Sequence, residues 1–144
     1  MGRSVRYNPC MTTELRLATA HLVNGGAPYE QHIRIGHHEL LADEPAAQGG
    51  GDAGPSPYGL LLASLGACTA ITLRMYAERK GWDLGPVRVD LEIVRDGDLE
   101  RIARTIELGP ALNAEQRARL AEIAEKTPVT KTLKRATPIL TSVR

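Results

Sequence analysis

The stretch that decides the fold is Tyr58-Gly-Leu-Leu-Leu-Ala-Ser-Leu-Gly-Ala-Cys68-Thr-Ala-Ile-Thr-Leu-Arg-Met-Tyr-Ala-Glu-Arg-Lys80. It contains no proline, and Leu, Ala, Met and Arg dominate it. These residues lose little side-chain freedom in a helix, so the composition predicts one helix of roughly 35 Å at 1.5 Å per residue. Its first half is apolar nearly all round, through Leu60, Leu61, Leu62, Ala63, Leu65, Ala67, Ala70 and Ile71. A helix without a polar face is buried on all sides. The second half, Arg74 to Lys80, carries charge and is expected to emerge into water. Lys80-Gly81 closes it, with a cation in the last turn and a glycine after it. Only Leu60–Leu73 is mostly apolar, short of the ~20 residues that a membrane-spanning helix needs, so no membrane is expected as a partner.

Upstream, Glu44 to Pro57 is a loop by composition, with Pro45, Gly49, Gly50, Gly51, Gly54, Pro55 and Pro57. Before it, Glu14–Val23 alternates, Asn24-Gly25-Gly26 signals a tight turn, Gln31–Ile35 alternates again, and His38–Asp43 suits a third short strand. Residues 14–43 are therefore expected to form a three-stranded antiparallel meander. Downstream, Val87, Val89, Leu91 and Ile93 alternate with Arg88, Asp90 and Glu92, a half-exposed strand. Asp96-Gly97 turns it, and Arg101–Leu108 returns with Ile102, Ile106 and Leu108 inward. Asn113 is an N-cap with Gln116 as its capping-box partner. Leu120, Ile123 and Ala124 mark the stripe of that helix, and Thr127-Pro128 ends it and opens a short one. Pro138–Val143 reads as a last strand. The order is β-β-β, long helix, β-β, helix, short helix, β, an α+β class with a long buried central helix. Residues 13–144 are expected to form a single domain, and residues 1–12 a mobile extension. Six short strands and two small helices are thin cover for so long an apolar helix, and a second copy of the chain would supply the rest. An obligate homodimer follows from burial.

The composition limits the functions available. The chain has 144 residues, 18 Lys+Arg against 17 Asp+Glu, and a formal net charge of +1, without the basic excess of a nucleic-acid binder. Trp82, four Tyr and no Phe leave no platform for stacking bases. Two cysteines, Cys10 and Cys68, make no disulfide scaffold at this length, and the N-terminus has no apolar signal core, so a cytoplasmic location is the default.

Cys68 is the first candidate for chemistry. It shares its helix face with Leu61, Ser64, Leu65, Ile71, Thr72 and Met75. A lone cysteine among aliphatics is usually a small hydrophobe, and buried thiols are inert. Ser64 and Thr72, one turn away on either side, could donate to a thiolate or bond back to their own helix carbonyls. His21, His32, His37 and His38 show no ligand spacing, and His37-His38 would point to opposite faces of a strand, so no metal is expected. Gly49-Gly50-Gly51-Asp52-Ala53-Gly54 lacks the Gly-Lys-Ser/Thr of a P-loop and reads as a flexible linker.

Five separated blocks occur in an order that resembles the OsmC/Ohr family: Asp43-Glu44-Pro45; Gly49-Gly50; Gly54-Pro55-Ser56-Pro57-Tyr58; Leu60 through Cys68 to Ala70; and Arg74 to Trp82, with Pro128-Val129 later on. The resemblance covers residues 13–143 and is closest to the OsmC-like domains also found fused to α/β-hydrolases. It implies an α+β fold, an intertwined homodimer and thiol-dependent reduction of organic hydroperoxides in oxidative-stress defence, without a cofactor. A peroxidatic cysteine on the central helix would be oxidised to a sulfenic acid. A second cysteine just before Pro-Val would capture it, and a dithiol such as a lipoyl group would reduce the disulfide.

Cys68 matches the peroxidatic position. Thr127 stands at the position of the second cysteine and cannot form a disulfide, so an external thiol is expected to resolve Cys68. The family's glutamate falls near Tyr58. No arginine matches in the first-hairpin loop Asn24-Gly25-Gly26-Ala27-Pro28, and Arg16 and Arg34 are its neighbours. Tyr58, Ser64 and Thr72 are the expected binding residues. The alternative is a non-catalytic OsmC-like dimer that binds a small apolar ligand, its activity lost with Thr127. Cys10 as a resolving thiol needs a close partner geometry that a mobile segment does not supply.

Overall fold

Alternation at a period of two builds the first sheet: β1 (His21–Asn24), β2 (Gln31–Ile35) and β3 (His38–Ala42). The computed structural model describes residues 14–144 and divides into two compact units that meet in sequence at Pro55 and Ser56. In the first unit the three strands form the antiparallel meander β1-β2-β3, with Ile33 opposite Leu22 and Leu40. Ile33 and Ala42 are its buried apolar residues. Residues 14–20, expected to extend the first strand, are irregular. The expected tight turn is a wider loop, closed by Gly25 N–H donating to the Glu30 carbonyl at 2.8 Å. His37 lies in the turn before β3, not in the strand. Its ring therefore stacks on that of His38 at 4.0 Å and does not point to an opposite face.

The segment after β3, read above as a flexible linker, is fastened. Asp43 is buried, and its carboxylate accepts from the backbone N–H groups of Glu44, Gly51 and Ala53 at 2.8, 3.1 and 3.1 Å. Hydrogen bonds from backbone donors to a carboxylate are charge-assisted and hold the loop in one path. The chain closes so tightly on itself that a Cβ on Gly50 would lie 1.8 Å from the Glu44 carbonyl oxygen. Glycine is required there by that approach.

In the second unit, α1 (Pro57–Lys80) begins at Ser56, whose side chain accepts from Gly59 N–H at 3.1 Å, and ends at Gly81 with φ 66°. Both caps follow from local chemistry: proline in the first turn, and a glycine that reaches the left-handed region without a Cβ penalty. β4 (Val87–Asp96) and β5 (Leu99–Leu108) form an antiparallel hairpin through a two-residue turn, with Val89 opposite Ile106 and Ile93 opposite Ile102. α2 (Ala114–Ala124) carries the full capping box between Asn113 and Gln116. α3 (Pro128–Lys134) follows directly. α1 packs on β4, α2 and α3, and Leu73, Ala77, Leu84, Leu112, Leu120 and Ala124 form the core.

Two further expectations change. Residues 138–143 form no strand, because no neighbouring strand pairs with them among the described residues. α1 is buried along Leu65, Thr69, Leu73 and Ala77, but Ala63, Ser64, Ala67, Ile71 and Met75 are exposed. Burial on every side is not reached within one described chain. By length and composition alone α1 would suffice to cross a membrane. Its buried stripe instead forms the core of a folded unit with β4, α2 and α3.

Candidate functional site

Ser64, Cys68, Thr69 and Thr72 define the helix surface around the thiol. Cys68 is a free, half-buried cysteine in the middle of α1. Ser64 is exposed and Thr72 is half-buried. Neither makes a side-chain hydrogen bond among the described residues. The hydroxyl that bonds back to the helix is that of Thr69, which donates to the Leu65 carbonyl at 2.7 Å.

Thr69 leads to a polar cluster that the sequence reading did not single out. Arg104 lies on β5 opposite Leu91, and its side chain is 10% exposed. One terminal nitrogen donates to Thr69 Oγ1 at 2.9 Å and to Thr130 Oγ1 at 3.0 Å. The other donates to the Ala124 carbonyl and to Glu125 Oε1, both at 3.0 Å. Thr127 is fully buried, and its hydroxyl shares a 2.6 Å hydrogen bond with that of Thr130. Thr130 also donates to the Ala124 carbonyl at 3.3 Å. A hydroxyl has one proton and two acceptor positions. Thr130 therefore accepts from Arg104 and Thr127 while it donates to Ala124. The Ala124 carbonyl is one of the orphan acceptors at the end of α2, where the helix dipole also favours a cation. Arg104 thus ties the turn of α1 beside Cys68 to the α2–α3 junction that holds Thr127.

The signal for Arg104 was present in the strand pattern. If Ile102, Ile106 and Leu108 point inward, the period of two places Arg104 inward with them. A cation at such a position must be paired.

A second cluster lies toward the start of α1. Tyr58 Oη donates to Glu100 Oε1 at 3.1 Å, and Arg95 donates to both Glu100 and Tyr58. The hydrogen bond from Arg95, with that from Tyr58, holds the Glu100 carboxyl below the usual carboxylate range, and Glu100 in turn raises Arg95. The position where the resemblance places a glutamate thus carries a tyrosine that borrows a carboxylate from β5.

Between these clusters lies a cavity of about 540 Å³. Leu61, Leu65, Ile93, Ile102 and Leu133 form its aliphatic wall. Tyr58 and Glu100 stand on its lining, as do Arg104, Thr130, Glu125 and Lys134. Lys134 pairs with Glu125 and, ahead of Arg104, lowers the Glu125 carboxyl. Cys68 itself does not line this cavity. Among the described residues no group of three His, Cys, Asp or Glu could hold a metal ion. Cys10 lies outside the described residues. Arg16 and Arg34 belong to the first unit, with Arg34 on β2 opposite His21 and Glu39.

The sequence profile of the OsmC family, described as OsmC-like protein, matches residues 49–142. Solved structures share the fold. An OsmC-like protein from Mycoplasma pneumoniae superposes with a TM-score of 0.68 at 16% identity, covering 87% of this chain and 91% of that one. The organic hydroperoxide resistance protein OsmC from Legionella pneumophila gives 0.65 at 20% identity, covering 84% and 91%. The organic hydroperoxide resistance protein OhrB of Bacillus subtilis gives 0.60 at 22% identity, covering 85% and 94%. No curated protein matches the chain.

Proposed function

This chain belongs to the OsmC family, and from that premise we propose that it reduces organic hydroperoxides with Cys68 as its reacting thiol, in a reducing cytoplasmic setting. The observation that carries this reading is a free, half-buried cysteine in the middle of α1, inside the matched residues 49–142. The names of the Legionella and Bacillus relatives tie those proteins to organic hydroperoxide resistance.

The Cys68 thiolate attacks the terminal oxygen of the hydroperoxide. The O–O bond breaks, the alkoxide leaves and takes up a proton as the alcohol, and the sulfur becomes a sulfenic acid. One thiol of an external dithiol then displaces water from that sulfur. Its second thiol releases Cys68 and leaves the reductant as a disulfide. Thr127 takes no part in electron transfer, because its hydroxyl is held by Thr130 and carries no sulfur. The site is completed by a second copy of the chain, which covers the face of α1 that one chain leaves open.

Purified protein mixed with cumene hydroperoxide and dithiothreitol tests the reading. Peroxide is expected to disappear, and Cys68→Ala to abolish the loss. One equivalent of peroxide without reductant is expected to add one oxygen to the intact mass, at Cys68. Equal peroxide loss by the wild type and Cys68→Ala would overturn the assignment. A second reading is favoured by the full engagement of Thr127, Thr130 and Arg104 with one another: an OsmC-like dimer without turnover, holding a small apolar ligand. An unmodified thiol after peroxide treatment supports that alternative.

A further inference from the structure

We infer that the cavity beside α1 is a binding site for an unbranched aliphatic monocarboxylate, its chain along Leu61, Leu65, Ile93, Ile102 and Leu133 and its carboxylate between Arg104 and Lys134. The volume of about 540 Å³ falls within the range of small-molecule sites, and five aliphatic side chains share the lining with a set of charged and hydroxyl groups.

The polar end shows what it is built to hold. The two carboxylate oxygens of Glu125 divide between two cations: Oε1 accepts from Arg104 and Oε2 from Lys134. Glu125 thereby occupies the place that a ligand carboxylate would take. The Glu125 side chain is 57% exposed and can turn out to water. Arg104 cannot follow it, because Thr69, Thr130 and the Ala124 carbonyl hold the guanidinium in place. The cation is therefore organised before any ligand arrives, which lowers the cost of binding. At the other end Glu100 is already committed to Arg95 and Tyr58. The charged groups on the lining are Arg101, Arg104 and Lys134 against Glu100 and Glu125, an excess of positive charge. A neutral head accepts from Arg104 without a charge to replace that of Glu125, and a cationic head is repelled by Arg104 and Lys134.

The inference does not rest on peroxide chemistry, so its test uses Cys68→Ala full-length protein and a ligand without a peroxide group. Decanoate and decan-1-ol are titrated by calorimetry below the concentration at which decanoate forms micelles. Decanoate is expected to bind about tenfold tighter than the alcohol, the worth of one charge-assisted hydrogen bond. Glu125→Gln removes the internal competitor and is expected to tighten decanoate several-fold while leaving decan-1-ol unchanged. Lys134→Gln is expected to weaken decanoate alone, and Leu133→Trp, which obstructs the aliphatic wall, to weaken both. Glu125 and Lys134 are more than half exposed, so their variants keep the fold. Equal binding of acid and alcohol, no binding of either, or a Glu125→Gln protein with unchanged decanoate affinity would overturn the proposal. Activity of the Cys68 thiol bears on none of these readouts.

Discussion

Arg104 shows how one side chain settles the accounts of several others. It satisfies two threonine hydroxyls and a helix-end carbonyl, all in the second unit, and its own side chain is 10% exposed. Replacing it with methionine keeps the bulk and removes the four donors at once. Buried polar groups that lose a charged partner cost far more than a surface pair does. Arg104→Met is expected to lower unfolding stability by about 2–4 kcal/mol, read as a shift of the urea midpoint at unchanged slope. Arg101, an exposed residue of the same strand, is the control: Arg101→Met is expected to change stability by no more than about 0.5 kcal/mol. Equal effects at the two positions would mean that the cluster contributes nothing. At this scale the sequence was legible where one residue type has one use. The Asn113–Gln116 capping box belongs to that group. Arg104 was not found, because an arginine between Leu91 and the isoleucines of β5 interrupts an apolar pattern, and its partners come from three other elements. No window of adjacent residues contains Thr69, Ala124 and Thr130 together.

The elements divide in the same way. Local signals wrote α1 and its glycine stop, the β4–β5 hairpin and the order of the meander, while Pro57, read as the end of the loop, proved to be the first residue of α1. They also wrote residues 138–143 as a strand, and none forms there, because a strand exists only when a neighbour pairs with it, and no described residue does. The glycine-rich loop was read as slack from its composition, whereas Asp43 clamps it. The two kinds of glycine in this chain make that difference measurable. At Gly50 an added Cβ would meet the Glu44 carbonyl oxygen at 1.8 Å, and a backbone atom cannot give way. Gly50→Ala is expected to cost about 3 kcal/mol locally, seen as faster hydrogen exchange of the Gly51 and Ala53 amides that Asp43 holds. At Gly66, in the middle of α1, the Cβ would meet only Leu91 Cδ1, at 2.9 Å. That methyl can turn aside, and alanine regains about 1 kcal/mol of helix propensity. The two terms nearly cancel, so Gly66→Ala is expected to shift stability by less than about 1 kcal/mol. Fast exchange at Gly51 and Ala53 in the unsubstituted protein, unchanged in Gly50→Ala, would show that the loop is slack after all.

For the whole molecule the decisive fact is how much apolar surface one chain leaves open. Ile71 is 59% exposed on a helix whose buried stripe forms the core of its unit, and Ile139 and Leu140 are 88% and 96% exposed in a segment patterned as a strand. Monomers rarely keep large contiguous apolar patches in water, because burying such surface gains roughly 25 cal/mol per Å². Small residues on the open face of α1, Ala63 and Ala67, allow another backbone to come close. A second copy of this chain is the proposed cover, and it explains why the pattern of residues 138–143 is that of a strand without a partner. Sedimentation equilibrium of the full chain is expected to give twice the 15.6 kDa chain mass. Ala67→Arg places a charge on that face. Ala67 is exposed in the single chain, so the substitution costs the monomer's own core nothing. It is expected to return the mass to that of one chain, and to raise hydrogen exchange across residues 138–143 in step. A wild-type protein that sediments at a single chain mass, with fast exchange over those residues, would remove the second copy from the account and leave the peroxide chemistry to one chain alone.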